Sequence, residues 1–335
     1  MDDEIAAIYD DFGRRWAHDT SPLYEDWATG IAADEEVLDV LRPLAYAKRQ
    51  PNLIFAAARW EGSPLVPYSE WRDWVLENQE RVIATALART TQTNEANRCA
   101  TWLPPLSQIN GPVALLEVGA AAGLCLYPDR YSVRYSTPSG TVRFDPDAGP
   151  SSVTLACELD DASAIPDRMP DVVWRRGIDL DPIDAADPDA IAWLATLIWP
   201  GPAHDDRVAR LRAAARIVAA DPPEIVRGDL LERLEDVAAS APAGATLVVF
   251  HSAVLLYLDA QQRRRFADLV AGLGRAVDRD VVWLSNETAG TLAEIDAQLP
   301  AVLDTSHRFV QTRNGRAIAL AGQHGAVYET LPFGG

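Results

Sequence analysis

The chain has 335 residues, a length that suits one α/β core of roughly 200 residues with an appended region. Hydrophobic residues make up 48% and charged residues 24% of the chain, as is typical of a folded globular protein. The 30 basic and 49 acidic residues give a net charge of −19, and such an acidic surface repels nucleic-acid phosphates and anionic lipids. We therefore expect neither a nucleic acid nor a membrane as a partner.

The three cysteines, Cys99, Cys125 and Cys157, lie far apart and form no cluster with histidines. This spacing argues against a structural metal site and against a disulfide framework. The first residues are acidic, unlike a secretory signal, and no apolar run reaches the ~18 residues that a transmembrane helix needs. We expect a protein of the reducing cytoplasm, without a bound metal.

Residues 1–110 are predicted to be helical. Apolar side chains recur there at helical spacing, for example at Ile5, Ile8 and Phe12. Six of the ten tryptophans fall in this region, and they either fill a helical core or present an aromatic surface to a substrate. We expect this region to act as a lid over the rest of the chain.

From residue 111 onward, strands alternate with helices. The expected core strands are 113–118, 171–179, 224–227, 245–250 and 280–284. The Asn314-Gly315 pair predicts a hairpin that forms an antiparallel edge. A strand-rich segment at about 131–160 is predicted to be an insertion. Residues 111–335 are thus expected to form a doubly wound, mostly parallel, Rossmann-like α/β core.

The most informative stretch is Leu115–Leu124, in which an apolar strand runs into Glu-Val-Gly-Ala-Ala-Ala-Gly. Gly119 and Gly123 remove side chains where a ligand would approach the backbone, and a helix after the turn would offer free N–H groups. The spacing differs from the dinucleotide fingerprint because position 121 is alanine. A ligand-free turn, with small residues for close packing, is the alternative interpretation.

This stretch resembles the first motif of the class I S-adenosylmethionine (SAM)-dependent methyltransferases, which reads acid-x-Gly-x-Gly-x-Gly. Alanine replaces the middle glycine here. The resemblance implies a SAM site, and it assigns cofactor binding to Glu117, Gly119, Ala120, Ala121 and Gly123.

The second motif of that family is similar to Gly177–Pro182. The resemblance implies that Asp179 holds the ribose hydroxyls, with Asp181 and Asp184 as alternatives. Asp179 would otherwise have a capping or turn role. About sixty residues separate it from the first motif, against about thirty in a plain βαβ unit, and for this reason we predict the insertion.

Two later segments continue the resemblance in the order that the family requires. In Arg227–Leu230, Asp229 would meet the adenine amino group and Leu230 would line the ring, although a turn role for Asp229 is the alternative. Val248–Leu258 resembles the segment that leads from the fourth strand into the active site.

Candidate catalytic residues follow the fourth and fifth predicted strands. His251 would face a ligand at the carboxyl ends of the strands and act as a general base. A buried histidine that bonds to its neighbours is the alternative. Glu287 is a second acid–base candidate. Tyr257 is a third catalytic candidate, and it is expected to close the pocket together with Asn94, Glu95 and Arg98.

Over most of its length the chain also resembles the uncharacterised DUF2332 family. The matching segments are Thr93–Glu95, Leu116–Leu124, Arg176–Pro182, Trp199-Pro200 and Phe250–Ser252. This resemblance implies one integrated protein, and it implies no particular activity.

We therefore predict a SAM-dependent methyltransferase-like protein that acts on a small molecule. Methyl transfer needs alignment of donor and acceptor more than elaborate acid–base groups. One alternative is a nucleoside- or SAM-binding sensor without catalysis. Another is a different Rossmann-type nucleotide enzyme, such as an NAD-dependent oxidoreductase, which the glycine spacing disfavours.

Overall fold

The chain forms two compact units. The computed structural model describes residues 2–332. One unit contains residues 1–93 and 188–212, and the other contains residues 94–187 and 213–335. The expected boundary near residue 110 therefore falls inside the second unit.

Helices occur in both units. The α-helices of the described residues are α1 (Asp2–Asp11), α2 (Pro22–Ala32), α3 (Glu35–Leu41), α4 (Pro51–Trp60), α5 (Tyr68–Glu77), α6 (Gln79–Ala88), α7 (Cys99–Ser107), α8 (Pro188–Thr196), α9 (His204–Ala220), α10 (Leu230–Ala239), α11 (Ala260–Ala276) and α12 (Ala293–Asp296). A π-helical turn, Phe12–Ala17, continues α1.

The first unit is held together by aromatic side chains. The rings of Trp27 and Trp71 stack with their centroids 4.6 Å apart, and both residues are fully buried. Helix α8 joins this core because the Trp193 indole donates to the Thr90 carbonyl oxygen at 2.9 Å. These tryptophans therefore fill a helical core.

All strands of the described residues belong to the second unit. They are β1 (Pro112–Val118), β2 (Ser132–Thr137), β3 (Gly140–Phe144), β4 (Thr154–Leu159), β5 (Asp171–Asp179), β6 (Glu224–Arg227), β7 (Thr246–Ser252), β8 (Val281–Glu287), β9 (Arg308–Arg313), β10 (Arg316–Gly322) and β11 (Val327–Thr330). They form a single sheet in the order β3-β2-β4-β11-β10-β9-β8-β7-β1-β5-β6.

The centre of this sheet is parallel, as predicted. Strands β8, β7, β1, β5 and β6 all run in the same direction. The predicted hairpin forms β9 and β10, which pair antiparallel with each other, and β9 pairs antiparallel with β8. The chain is thus a mixed α/β protein with a largely parallel sheet, an antiparallel carboxyl-terminal hairpin and a helical amino-terminal region.

The segment predicted to be an insertion extends the same sheet. Strand β4 pairs parallel with β11 through Glu158 and Leu159, which lie opposite Val327 and Tyr328, and β2 pairs with β4. Strands β2 to β4 therefore form the far edge of the sheet, and β11 joins them to the hairpin.

Both faces of the sheet are covered. Leu116 and Val118 of β1 pack with Phe266 and Val270 of α11 in one buried cluster. Side chains alternate along a strand, so Glu117 points to the opposite face. Helix α7 lies on that face, where the Trp102 ring contacts Phe250 at 5.6 Å.

Within residues 2–332, no helix combines the length and the apolar character that crossing a bilayer requires.

Candidate functional site

Glu117 ends β1 as a buried acid. It is 5% exposed, and its Oε2 atom has no hydrogen-bond partner. Burial raises its pKa well above the ordinary value, as does nearby Cys125, whereas the positive charge of Arg98 lowers it. Because a buried polar atom without a partner costs free energy, Glu117 is a candidate for contact with a ligand.

The backbone N–H groups of the loop after β1 largely form hydrogen bonds within the protein. The N–H groups of Gly119 and Ala120 donate to the Ile178 carbonyl oxygen. The N–H of Gly123 donates to the Ala120 carbonyl oxygen, and the N–H of Ala121 donates to Asp179 Oδ2 at 2.8 Å. These four N–H groups therefore already have partners.

The expected helix after this loop does not form. Two short 3₁₀ turns, Leu124–Leu126 and Pro128–Arg130, take its place. The Leu124 N–H donates to Asn94 Oδ1 at 3.0 Å, and Pro128 has no N–H with which to continue a helix. The expectation of free helix N–H groups was therefore wrong.

Gly119 is needed for its backbone conformation and for packing. Its φ angle is +72°, and a Cβ atom there would collide with the side chain of Val254. Ala121 also has a positive φ, 48°, at the position where the methyltransferase motif has its middle glycine. The loop after β7 thus packs directly against the loop after β1.

Asp179 ends β5 and supports this loop. Its Oδ2 atom accepts from the Ala121 N–H, and its Oδ1 atom accepts from the Asp181 N–H at 2.8 Å. Asp181 is exposed and pairs with Arg227 at 2.7 Å. Asp184 accepts from the Ala186 N–H in an exposed turn. Asp179 therefore contacts the loop directly, through the Ala121 N–H.

Asp229 and Leu230 lie at the start of α10. The Asp229 carboxylate caps this helix by accepting from the Leu231 N–H at 2.7 Å, which is the helix-end role that short polar residues favour. Leu230 is half-buried. The capping role does not exclude contact with a ligand through the other carboxylate oxygen.

Asn94, Glu95 and Arg98 lie beside the same loop, within the second unit. Asn94 brackets the loop, because its Nδ2 atom donates to the Ala120 carbonyl oxygen at 3.2 Å while its Oδ1 atom accepts from Leu124. Glu95 accepts from the Asn97 N–H at 3.2 Å. The Arg98 guanidinium donates to the Gln323 carbonyl oxygen at 2.9 Å. Asn94 therefore holds the loop after β1, and Arg98 is bonded to the connection between β10 and β11.

His251 and Glu287 form a buried pair. His251 Nδ1 lies 2.7 Å from Glu287 Oε1, and the Trp283 indole donates to His251 Nε2 at 3.0 Å. Neither residue is more than 4% exposed. Since both ring nitrogens of His251 already have partners, the geometry supports the structural alternative for this histidine over the expected role as a general base.

Tyr257 is the accessible member of the three predicted catalytic residues. It is 77% exposed and lies in the 3₁₀ turn Leu255–Tyr257 after β7. Tyr257 therefore presents its side chain to solvent just beyond the carboxyl end of β7.

Sequence reasoning missed two buried amides. Gln311 lies opposite Asn286 in the β8–β9 pair, and its Nε2 atom donates to Asn286 Oδ1 at 3.1 Å. Asn286 Nδ2 and Gln311 Oε1 are buried without partners. The available signal was a single amide side chain within each of two predicted strands.

Among residues 2–332, no group of three or more His, Cys, Asp or Glu side chains could hold a metal ion.

Comparison with known proteins identifies a family. No curated protein and no solved structure matches the chain. A family described as "Uncharacterized protein conserved in bacteria (DUF2332)" matches residues 6–329. The chain belongs to this family.

Proposed function

We propose that the second unit binds SAM at the carboxyl ends of its central strands and transfers the methyl group to a small molecule. The observation that carries this proposal is the position of Glu117 and the loop after it. Strand β1 lies between β5 and β7, with β6 beyond β5 and β8 beyond β7, so the strand order runs outward from β1 in both directions. In doubly wound proteins, ligands bind in the crevice at such a reversal of strand order.

The residues present fit SAM in part. Glu117 offers a buried oxygen without a partner, which suits an amino or hydroxyl donor. A carboxylate accepts up to about four hydrogen bonds, so the two backbone bonds of Asp179 do not prevent a bond to a ribose hydroxyl. The loop N–H groups that already have protein partners are not available to SAM. We therefore assign SAM binding mainly to Glu117 and Asp179.

SAM would supply an electrophilic methyl group, which an acceptor lone pair attacks while the carbon–sulfur bond breaks. The protein's part in such a reaction is to align the reactants. Tyr257 is exposed, so we assign to it the orientation of the acceptor by a hydrogen bond. The buried His251–Glu287 pair holds the segment that carries Tyr257.

Titration calorimetry with SAM and S-adenosylhomocysteine tests the cofactor site. We expect both ligands to bind the wild type. Asp179→Asn removes the charge but keeps one acceptor oxygen, and we expect a loss of about 1.5–3 kcal/mol, or roughly ten- to hundredfold in affinity. Asp181→Asn is the matched control, because Asp181 is exposed and pairs with Arg227.

Two results would contradict this proposal. If the wild type binds neither ligand, the methyltransferase proposal fails. If Asp181→Asn weakens binding as much as Asp179→Asn does, the ribose contact does not belong to Asp179. NAD and NADP serve as further ligands, and their preferential binding would favour an oxidoreductase.

A SAM- or nucleoside-binding protein without catalysis is the second candidate. The burial of both His251 and Glu287 favours it, because neither offers an open acid–base group. Incubation with methyl-labelled SAM and a mixture of small molecules distinguishes the two. Labelled product supports catalysis, whereas binding without any turnover supports a sensor.

A further inference from the structure

Glu287 is a buried acid whose two oxygens have different surroundings. Its Oε1 atom accepts from the N–H groups of Val254 at 2.9 Å and Leu255 at 3.1 Å, and it lies 2.7 Å from His251 Nδ1. Its Oε2 atom is buried without a hydrogen-bond partner. Three N–H donors on one oxygen suit a carboxylate anion.

The negative charge of Glu287 has no arginine or lysine partner among residues 2–332. Within residues 2–332 its one ion-pair contact is with His251. The Trp283 indole donates to His251 Nε2, so that nitrogen carries a lone pair and the ring is neutral, with its proton on Nδ1. Arg263, which lies nearby, donates to the carbonyl oxygens of Leu255, Leu258 and Thr291.

A small cavity lies beside Glu287. Its volume is about 10 Å³, measured as the space open to the centre of a water molecule. This is close to the space that one water molecule needs. Besides apolar side chains, its walls carry only oxygen-bearing ones: Ser285, Glu287, Thr288, Thr291, Asp296 and Thr312. Buried charges in proteins are normally paired or bound to metal ions.

We propose that this cavity binds one monovalent cation of about the size of water, such as K⁺ or NH₄⁺, against Glu287 Oε2. The hydroxyl oxygens are neutral ligands of the kind that hard cations accept. The cation would neutralise the carboxylate that holds Val254 and Leu255. It would thus stabilise the segment after β7, whether or not the protein binds SAM.

Thermal unfolding in chloride salts of equal ionic strength tests the proposal. We expect the melting temperature to be higher with K⁺ or NH₄⁺ than with the bulky cation N-methylglucamine, by on the order of 2–4 °C. Glu287→Gln keeps an acceptor for the three N–H donors but removes the charge, and should abolish this difference. Glu294→Gln is the matched control, because Glu294 is exposed on α12 and does not line the cavity.

A second measurement does not depend on the Glu287→Gln variant. Crystals of the wild type grown with Rb⁺ or Tl⁺ should show an anomalous peak beside Glu287 Oε2. The proposal is overturned if that peak is missing, since a water molecule or a proton on Glu287 then fills the role. Equal melting temperatures of the wild type in all salts would also overturn it, as would an undiminished salt effect in Glu287→Gln.

Discussion

At the scale of single residues, Glu117 makes stability depend on pH. Its pKa is raised chiefly by burial, so the folded protein binds a proton more tightly than the unfolded chain does. Above the ordinary pKa of 4.5, the unfolded chain gives up this proton first, and folding stability falls as the pH rises. The fall continues until the folded-state pKa is reached.

Glu117→Gln should therefore gain stability relative to the wild type as the pH rises from about 5 to about 8, by at most about 1.4 kcal/mol per pH unit. Urea unfolding at several pH values measures this difference. Glu232→Gln, an exposed change on α10, is the control and should follow the wild type. A constant difference between Glu117→Gln and the wild type would show that Glu117 is already ionised in the folded protein.

His251 is expected to matter for folding. His251→Ala leaves the Trp283 indole without its acceptor and removes one of the three N–H donors to Glu287, and should cost about 2–4 kcal/mol. Trp283→Phe removes only the indole donor to Nε2 and should cost about 1–3 kcal/mol. His18→Ala, at an exposed residue, should change stability by less than about 0.5 kcal/mol. If His251→Ala leaves the stability unchanged, the structural role of His251 is contradicted and its predicted role as a general base is favoured.

At the scale of secondary-structure elements, a close contact between β5 and the loop after β1 constrains the site. A Cβ atom at Gly177 would lie 2.5 Å from the Cβ atom of Ala120, so the loop packs directly on the strand. The carbonyl oxygen of Ile178, next to Gly177, also accepts the Gly119 and Ala120 N–H groups. Strand β5 and the loop thus form one rigid corner.

Gly177→Ala should cost about 1–3 kcal/mol, because the added methyl group forces the loop to shift. The double variant Ala120→Gly with Gly177→Ala moves the methyl group from the loop to the strand, and should recover most of this loss. Gly272→Ala is the control, because nothing lies near a Cβ atom at that helical position. Chemical unfolding of the wild type, the single variants Gly177→Ala and Ala120→Gly, and the double variant measures the energetic coupling between the two positions. Additive effects of the two changes would contradict the close contact.

Local sequence patterns predicted the elements that depend on local signals. The apolar runs identified β1, β5, β6, β7 and β8, and Asp259 caps α11 with a capping box. The turn at Asn314-Gly315 has positive φ at both residues, as the hairpin signal requires. Long-range pairings have no such signal, and the pairing of β4 with β11 was therefore not predicted.

The candidate site was likewise predicted only where its residues depend on local sequence signals. Residues at strand ends, such as Glu117 and Asp179, could be identified because a strand and the turn after it are both local. The partners of His251 lie about thirty residues away on another strand, so its burial was invisible in the sequence. The amides of Asn286 and Gln311 meet only when β8 and β9 pair.

At the scale of the whole molecule, the first unit is built from two separate parts of the chain. Arg59 of α4 donates to the carbonyl oxygens of Thr196 and Ile198, each at 2.7 Å. The Trp193 indole donates to Thr90. Residues 188–212 therefore complete a unit that begins at the amino terminus, although in sequence they lie between β5 and β6.

A protein without residues 1–93 should keep 188–212 but lose the core in which these residues are buried. We expect it to expose Trp193 and its neighbours, to bind the dye ANS and to aggregate. Dye fluorescence and light scattering, compared with the full chain, measure this. A monomeric truncated protein that binds no dye would show that 188–212 does not need the first unit.

The position of β11 has a consequence for synthesis on the ribosome. Strands β2, β3 and β4 are translated early, yet their link to the rest of the sheet is β11, at residues 327–330. While the chain is being made, this edge has no partner strand, and an unpaired edge is prone to aggregation. A product whose translation stops before residue 327 would leave these three strands detached from the rest of the sheet. Synthesis of β11 therefore decides whether the sheet is completed.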